Sequence, residues 1–178
     1  MKLRGNNHAY IDGANLHKGI CELSWALDYP RFRRWLADKY AVSRAYLFIG
    51  LIPKNKNLYT FLQEAGYTLI FKDTTYDGDG KAKGNCDADL VLKAVSDAYE
   101  NTCDQAVLVT GDGDFASLVS MLLARNKLKN ILAPDHKKCS ILLKRTQAKI
   151  TFLDEFRHKL AKKEKAPGKD RTSQGSLS

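Results

Sequence analysis

No run of about 18 apolar residues occurs in the 178-residue sequence, so nothing in it is written as a membrane-spanning helix. The opening MKLRGNNHAYID lacks the apolar stretch of a secretory signal, and the cytoplasm is the expected compartment. No CxxC pair exists: Cys21, Cys86, Cys103 and Cys139 are far apart, which argues against a zinc site and makes core packing their expected role. No internal repeat is present. Acidic residues are in deficit, 20 against 29 Lys and Arg, for a net charge of +9. That surplus is uneven. Residues 157–178 carry a net +5 and the preceding 156 residues only +4, so the body is mildly basic and the end strongly so.

A chain of this length suits one domain able to bury most of its unfolded surface without a staple. Apolar runs alternate with helical patterns in β-α order. Strands are expected at Ala9 to Asp12, Arg44 to Leu51, Tyr67 to Lys72, Gln105 to Thr110 and Asn130 to Ala133, with an edge strand at Lys149 to Thr151. Helices are expected at Asn15 to Leu23, from Pro30 to Tyr40, Asn57 to Ala65 before Gly66, Asp87 to Tyr99, Phe115 to Asn126, Cys139 to Arg145 and Leu153 to Lys163. The stretch from Asp73 to Asn85 is rich in Gly, Asp, Thr and Lys and is expected as a mobile loop. Continuous apolar strands separated by helices imply a mainly parallel sheet covered on both faces, a three-layer α/β/α fold. Residues 1–156 form the expected domain, and 157–178 a basic helical end running into a disordered tail from Ala166.

In parallel sheets ligands sit beyond the carboxyl ends of the strands. The first strand ends at Asp12, the fourth runs into GDGDF with Asp112 and Asp114, and the helix between them opens with Asp87. Asp87 shares a helical row with Val91, Ala94 and Ala98, whereas Asp89 turns to the other side. Carboxylates brought together repel unless a cation sits among them, and oxygen-only clusters suit Mg²⁺ or Mn²⁺. Such ions lower the pKa of water and neutralise charge on a leaving oxygen, which is phosphodiester hydrolysis without a nucleophilic side chain. Asn15 is the expected companion for water or phosphate. Each aspartate also has a plain role as a helix cap or turn residue, but a cap needs one carboxylate and GDGD supplies two, and no helical pattern starts immediately after Asp12.

At YIDGANL (Tyr10 to Leu16), KGNCDADLVLKA (Lys83 to Ala94), VLVTGDGDFASLV (Val107 to Val119) and NKLKNILAPDHKKCSILLKR (Asn126 to Arg145) the chain resembles the NYN family. These are PIN-like ribonuclease domains that include the LabA-like proteins. The resemblance implies a PIN-like sandwich that cleaves RNA with Mg²⁺ or Mn²⁺. It assigns metal-binding positions to Asp12, Asp87, Asp112 and Asp114, and a catalytic companion position to Asn15. It also suggests a homodimer, which no single residue signals. Cys86 replaces the small aliphatic residue usual before the helix aspartate, and Asp89 stands where Glu is common.

Phosphates flanking a cut need cations. Lys54 and Lys56 follow the second strand, Lys81 and Lys83 lie in the Gly-rich stretch, and His136, Lys137, Lys138, Lys144 and Arg145 follow the fifth. Tyr76 is placed to stack on an unpaired base. Trp25, Trp35, Phe48 and Phe71 fall on apolar stripes and are expected in the core, and His8 and His17 stay outside the catalytic set. YDGDGK (Tyr76 to Lys81) fails as a calcium loop for want of the twelfth-position Glu. GDGDF resembles a phosphatase motif but ends the fourth strand rather than the first. The expected function is a metal-dependent endoribonuclease acting on single-stranded or flexible RNA; the alternative is an inactive RNA-binding or regulatory adaptor using the same pocket.

Overall fold

The computed structural model describes residues 5–72, 75–76, 82–83 and 86–163. Its centre is a six-stranded, all-parallel sheet in the order β3-β2-β1-β6-β7-β8, built from β1 (Asn7–Asp12), β2 (Val42–Gly50), β3 (Tyr67–Lys72), β6 (Ala106–Val109), β7 (Leu128–Ala133) and β8 (Ile150–Phe152). The segments β4 (Thr75–Tyr76) and β5 (Ala82–Lys83) pair antiparallel as a separate ribbon. That pairing lies within the stretch expected to be loop throughout. Helices α1 (Gly13–Glu22), α2 (Tyr29–Tyr40), α3 (Lys56–Glu64), α4 (Asp87–Glu100), α5 (Ala116–Ala124), α6 (Ile141–Arg145) and α7 (Arg157–Leu160) fill the connections.

The central strands are apolar on both faces because helices cover both faces, and successive side chains divide between them. Ala9, Ile11, Val107 and Val109 point into a core with Leu16 and Ile20 of α1 and Phe32 and Leu36 of α2. Tyr10, Ala106 and Leu108 point the other way, into a core with Leu90 and Ala94 of α4, Leu118 and Leu122 of α5 and Leu143 of α6. This is the PIN-like three-layer arrangement. Leu160 of α7 is buried in the first core, and its carbonyl accepts the N–H of Asp28 at 2.8 Å, so residues 157–160 pack on the same body.

Local signals place the helix ends. Asp28 caps α2 by accepting the Arg31 N–H at 3.0 Å, with Pro30 in the first turn. Phe71 departs from its expected core position: among the described residues no strand pairs beyond β3, and Phe71 is 39% exposed. Trp25 and Phe48 are buried and Trp35 is half-buried against the first core. The thiols of Cys103 and Cys139 are buried, Cys86 is half-buried, and Cys21 is exposed on α1.

The sheet order matters most for function. From β1 the chain builds outward through β2 to β3, then returns to lay β6 on the other side of β1 and continues through β7 to β8. The carboxyl ends of β1 and β6 therefore flank the topological switch point, where open α/β sheets hold ligands.

Candidate active site

Ile11 pairs with Val109 across β1 and β6, so the next residue on each strand, Asp12 and Thr110, meet at the switch point. The buried Thr110 hydroxyl donates to Asp12 Oδ2 at 3.2 Å and accepts the Asp112 N–H at 3.1 Å. One hydroxyl thus ties the carboxylate of the first strand to the backbone that carries the second. Thr110 is a residue that sequence reasoning missed; its place as the last residue before GDGD was the available signal.

Asp12 also caps α1, accepting the Asn15 N–H at 3.0 Å on Oδ1. The helix begins directly at Gly13, earlier than expected, so the cap role and the site role coincide in one side chain. A Cβ on Gly13 would lie 2.8 Å from the Phe48 carbonyl oxygen and would strike Ile49, which is why α1 starts with glycine. The turn then brings Asn15 round so that its Oδ1 accepts the Gly111 N–H at 2.8 Å.

After Gly111, Asp112 Oδ1 accepts the Asp114 N–H at 3.0 Å and opens a short 3-10 turn, Gly113–Phe115, that leads into α5. Neither Asp114 nor Asp87 is an N-cap: Phe115 holds that place for α5 and Cys86 for α4, and neither supplies a side-chain cap bond. Asp87 is half-buried in the first turn of α4, while Asp89 reaches Lys72 at 4.0 Å. Gly113 is pressed against α6, where a Cβ would strike the Oγ of Ser140, the residue that caps that helix.

Charge repulsion couples Asp12 to Asp87 and Asp112. Burial raises the Asp12 carboxyl above its ordinary value of 3.8. The negative charges of Asp87 and Asp112 push in the same direction, and together these outweigh the bonds from Asn15 and Thr110. Burial also raises the Cys86 thiol, helped by the charges of Asp89, Asp87 and Asp12. Asp114 stands exposed at the rim. Among the described residues no three His, Cys, Asp or Glu side chains form a compact group able to enclose a metal ion. The aspartates therefore feel one another's charge without forming a ready-made cage, an arrangement compatible with Mg²⁺, which is held through one or two carboxylates while keeping several waters.

The basic candidates divide by position. Lys54 is exposed in the 3-10 turn Pro53–Asn55 after β2, and Lys56 is exposed at the start of α3. Lys137 and Lys138 are exposed in the β7–α6 loop, and Lys144 and Arg145 in the last turn of α6. Lys138 Nζ meets Glu22 Oε2 at 2.8 Å, which links that loop to the end of α1. Lys81 and the side chains of Lys83 and Tyr76 lie outside the described residues, as does the end from residue 164.

The arrangement defines an α/β protein with Asp12 at the switch point of a PIN-like sheet, in reach of the charges of Asp87 and Asp112. The sequence profile of the NYN domain matches residues 9–154, and the chain belongs to the NYN domain family. Its fold is similar to the crystal structure of a protein of unknown function from Vibrio parahaemolyticus RIMD 2210633, with a TM-score of 0.73 at 23% identity over 90% of this chain and 98% of that one. No curated protein matches the sequence. No helix among the described residues is long and apolar enough to cross a membrane.

Proposed function

We infer that the protein is a metal-dependent endoribonuclease that hydrolyses phosphodiester bonds in single-stranded or flexible RNA. The observation that carries this is the half-buried Asp12 at the switch point, its carboxyl raised by burial and by the charges of Asp87 and Asp112. Carboxylates that raise one another's pKa at a strand-end crevice favour a cation among them. NYN domains are generally nucleases, which supports the same reading.

Asp12, Asp87 and Asp112 would hold Mg²⁺ or Mn²⁺, with Asp114 at the rim for a second ion or for orienting water. Such an ion supplies Lewis acidity and lowers the pKa of water beside the phosphodiester. Thr110 fixes the Asp12 carboxylate, and Asn15 fixes the Gly111 amide and the turn that carries Asp112. Lys54, Lys137, Lys144 and Arg145, with Lys81 and Lys83, would hold flanking phosphates and make binding sensitive to salt. The cytoplasm is the compartment this reading supposes, and a homodimer the assembly.

Cleavage of an end-labelled RNA in Mn²⁺ and in EDTA, by the parent and by Asp112→Asn, tests it. The expected result is cleavage by the parent in Mn²⁺ alone and a loss of about a hundredfold or more in the variant, the scale of losing one charge-stabilising group. Equal cleavage by Asp112→Asn removes this site from the chemistry. Binding without cleavage by the parent favours the adaptor role. Cleavage of DNA at the same rate changes the substrate and leaves the site.

A further inference from the structure

Beside Asn15 a cleft of about 200 Å³ opens between α1 and the β7–α6 loop. Gly19, Pro134 and Gly111 line part of it, and Gly19 lies so close to Pro134 that a Cβ there would sit 2.6 Å from the proline ring. Its polar lining includes Lys18 and Lys138 on one side of the charge balance and Glu22 and Asp135 on the other. Two cations and two carboxylates give the cleft no net charge to favour a phosphate over the openly basic surfaces nearby. What it offers is a set of donors and acceptors beside a proline ring, the kind of lining that can take up an unstacked nucleobase.

The order of those groups selects the base. Lys138 Nζ and Glu22 Oε2 are 2.8 Å apart, so an ammonium with donors to spare lies next to a carboxylate. Read along the pair, the edge runs donor, acceptor, acceptor. The Watson–Crick edge of guanine runs acceptor, donor, donor through O6, N1–H and the N2 amino group, and it uses all three. Adenine and cytosine each match the pair with one donor and one acceptor, and uracil would set its O2 against the second carboxylate oxygen. We propose that this cleft binds a guanine base next to the scissile phosphate, with Glu22 and Lys138 as the specificity-determining residues. The proposal rests on the RNA-cleaving reading for its setting, and it moves Lys138 from a phosphate contact to a base contact.

Binding in EDTA, where no cleavage interferes, separates the two. Fluorescence anisotropy is measured with short end-labelled uridine oligonucleotides that carry one guanosine, one adenosine or one inosine, using the full chain and its Glu22→Gln and Lys138→Met variants. The parent is expected to prefer guanosine over adenosine by about tenfold, the lower range for a bidentate base contact, with inosine between them because it lacks the amino group. Glu22→Gln is expected to bring the ratio to within about twofold, since the amide replaces an acceptor with a donor. Lys138→Met, which leaves the carboxylate in place, is expected to reduce the ratio less. Both substitutions are at the surface, and unchanged circular dichroism shows that the fold persists. Equal affinity of the parent for guanosine and adenosine, or a ratio unmoved in Glu22→Gln, overturns the proposal. A guanosine preference without cleavage in Mn²⁺ would defeat the nuclease reading alone, and cleavage without that preference would defeat this one alone.

Discussion

The side-chain oxygen of Asn15 accepts the backbone N–H of Gly111 at 2.8 Å, joining the first turn of α1 to the loop after β6 across 96 residues of sequence. The bond fixes the point from which the chain turns to present Asp112, so Asn15 acts on the site through backbone position. Asn15→Ala leaves that part-buried N–H without its acceptor and is expected to cost about 1–2 kcal/mol in urea unfolding. Asn15→Asp keeps the acceptor and most of the stability but adds a negative charge beside Asp12. If the alanine variant unfolds at the parent's urea midpoint, the clamp contributes nothing.

Asp12 gives a test that needs no RNA. Its carboxyl is raised by burial and by Asp87 and Asp112, so the ionised form costs the folded chain stability at neutral pH when no divalent ion is bound. Asn at this position still accepts the Asn15 N–H and caps α1. Asp12→Asn is therefore expected to raise the Tm in EDTA, at roughly 2–4 °C for each kcal/mol relieved in a domain of this size. Mn²⁺ is expected to raise the Tm of the parent and leave that of Asp12→Asn nearly unchanged, because only the parent gains from binding. A variant less stable than the parent in EDTA would show that the cap outweighs the repulsion.

Gly113 and Ser140 form a pair that a double-mutant cycle can isolate. A methyl at position 113 would strike the Ser140 hydroxyl, which itself accepts the Leu142 N–H at 3.2 Å to start α6. Gly113→Ala is expected to lose about 1–3 kcal/mol, the usual cost of overpacking, and to lower cleavage by displacing Asp112 and Asp114. Ser140→Gly alone loses only the cap, on the order of a few tenths of a kcal/mol. In the double variant the clash with Ser140 is gone and only Leu142 Cδ1, 3.1 Å from the new methyl, stays tight, so the combined loss is expected to be smaller than the sum. Strict additivity would mean that the loop moves aside without strain.

These contacts mark what a sequence can and cannot carry. Asp12 and Asp112 were legible as partners because strand ends in a parallel sheet converge on one edge, a consequence of topology alone. Asn15 was legible as a companion, but its bond to Gly111 was not, since no local pattern names a backbone partner in a distant loop. Thr110 read only as the end of an apolar strand, and Lys18 and Glu22 carried no signal of their own within the helix expected at Asn15 to Leu23. The ribbon joining Thr75–Tyr76 to Ala82–Lys83 was hidden by a composition that usually marks irregular backbone. Phe71 looked like core because its strand is apolar, and only the sheet order shows that it sits at an edge.

At the amino-terminal side of the sheet, away from the aspartates of the crevice, Asp97 is almost wholly buried and supplies a pH dependence of its own. Its Oδ1 accepts from Lys93 Nζ and from the Thr102 hydroxyl, each at 2.8 Å. Its Oδ2 accepts from the Tyr10 hydroxyl at 2.8 Å and lies 3.3 Å from His8 Nδ1. Burial works to raise the carboxyl, but the bonds from Lys93, Tyr10, Thr102 and His8 outweigh it and hold it below 3.8. A lowered carboxyl stabilises the fold above its unfolded value, and that contribution is lost as the pH falls through the folded one. His8 is moved the same way: burial lowers it from 6.5, against the pull of Asp97, with Arg44 and Lys93 adding to the lowering. The unfolded chain therefore takes up this proton first, and stability falls as the pH drops below 6.5. The parent's urea midpoint is expected to hold level above that point, decline gently below it, and drop again in the range where carboxylates protonate. His8→Gln is expected to flatten the first decline and keep the second. Asp97→Asn, which leaves a buried donor set without its anion, is expected to cost about 3 kcal/mol at neutral pH. A first decline that persists in His8→Gln would place its origin in another group.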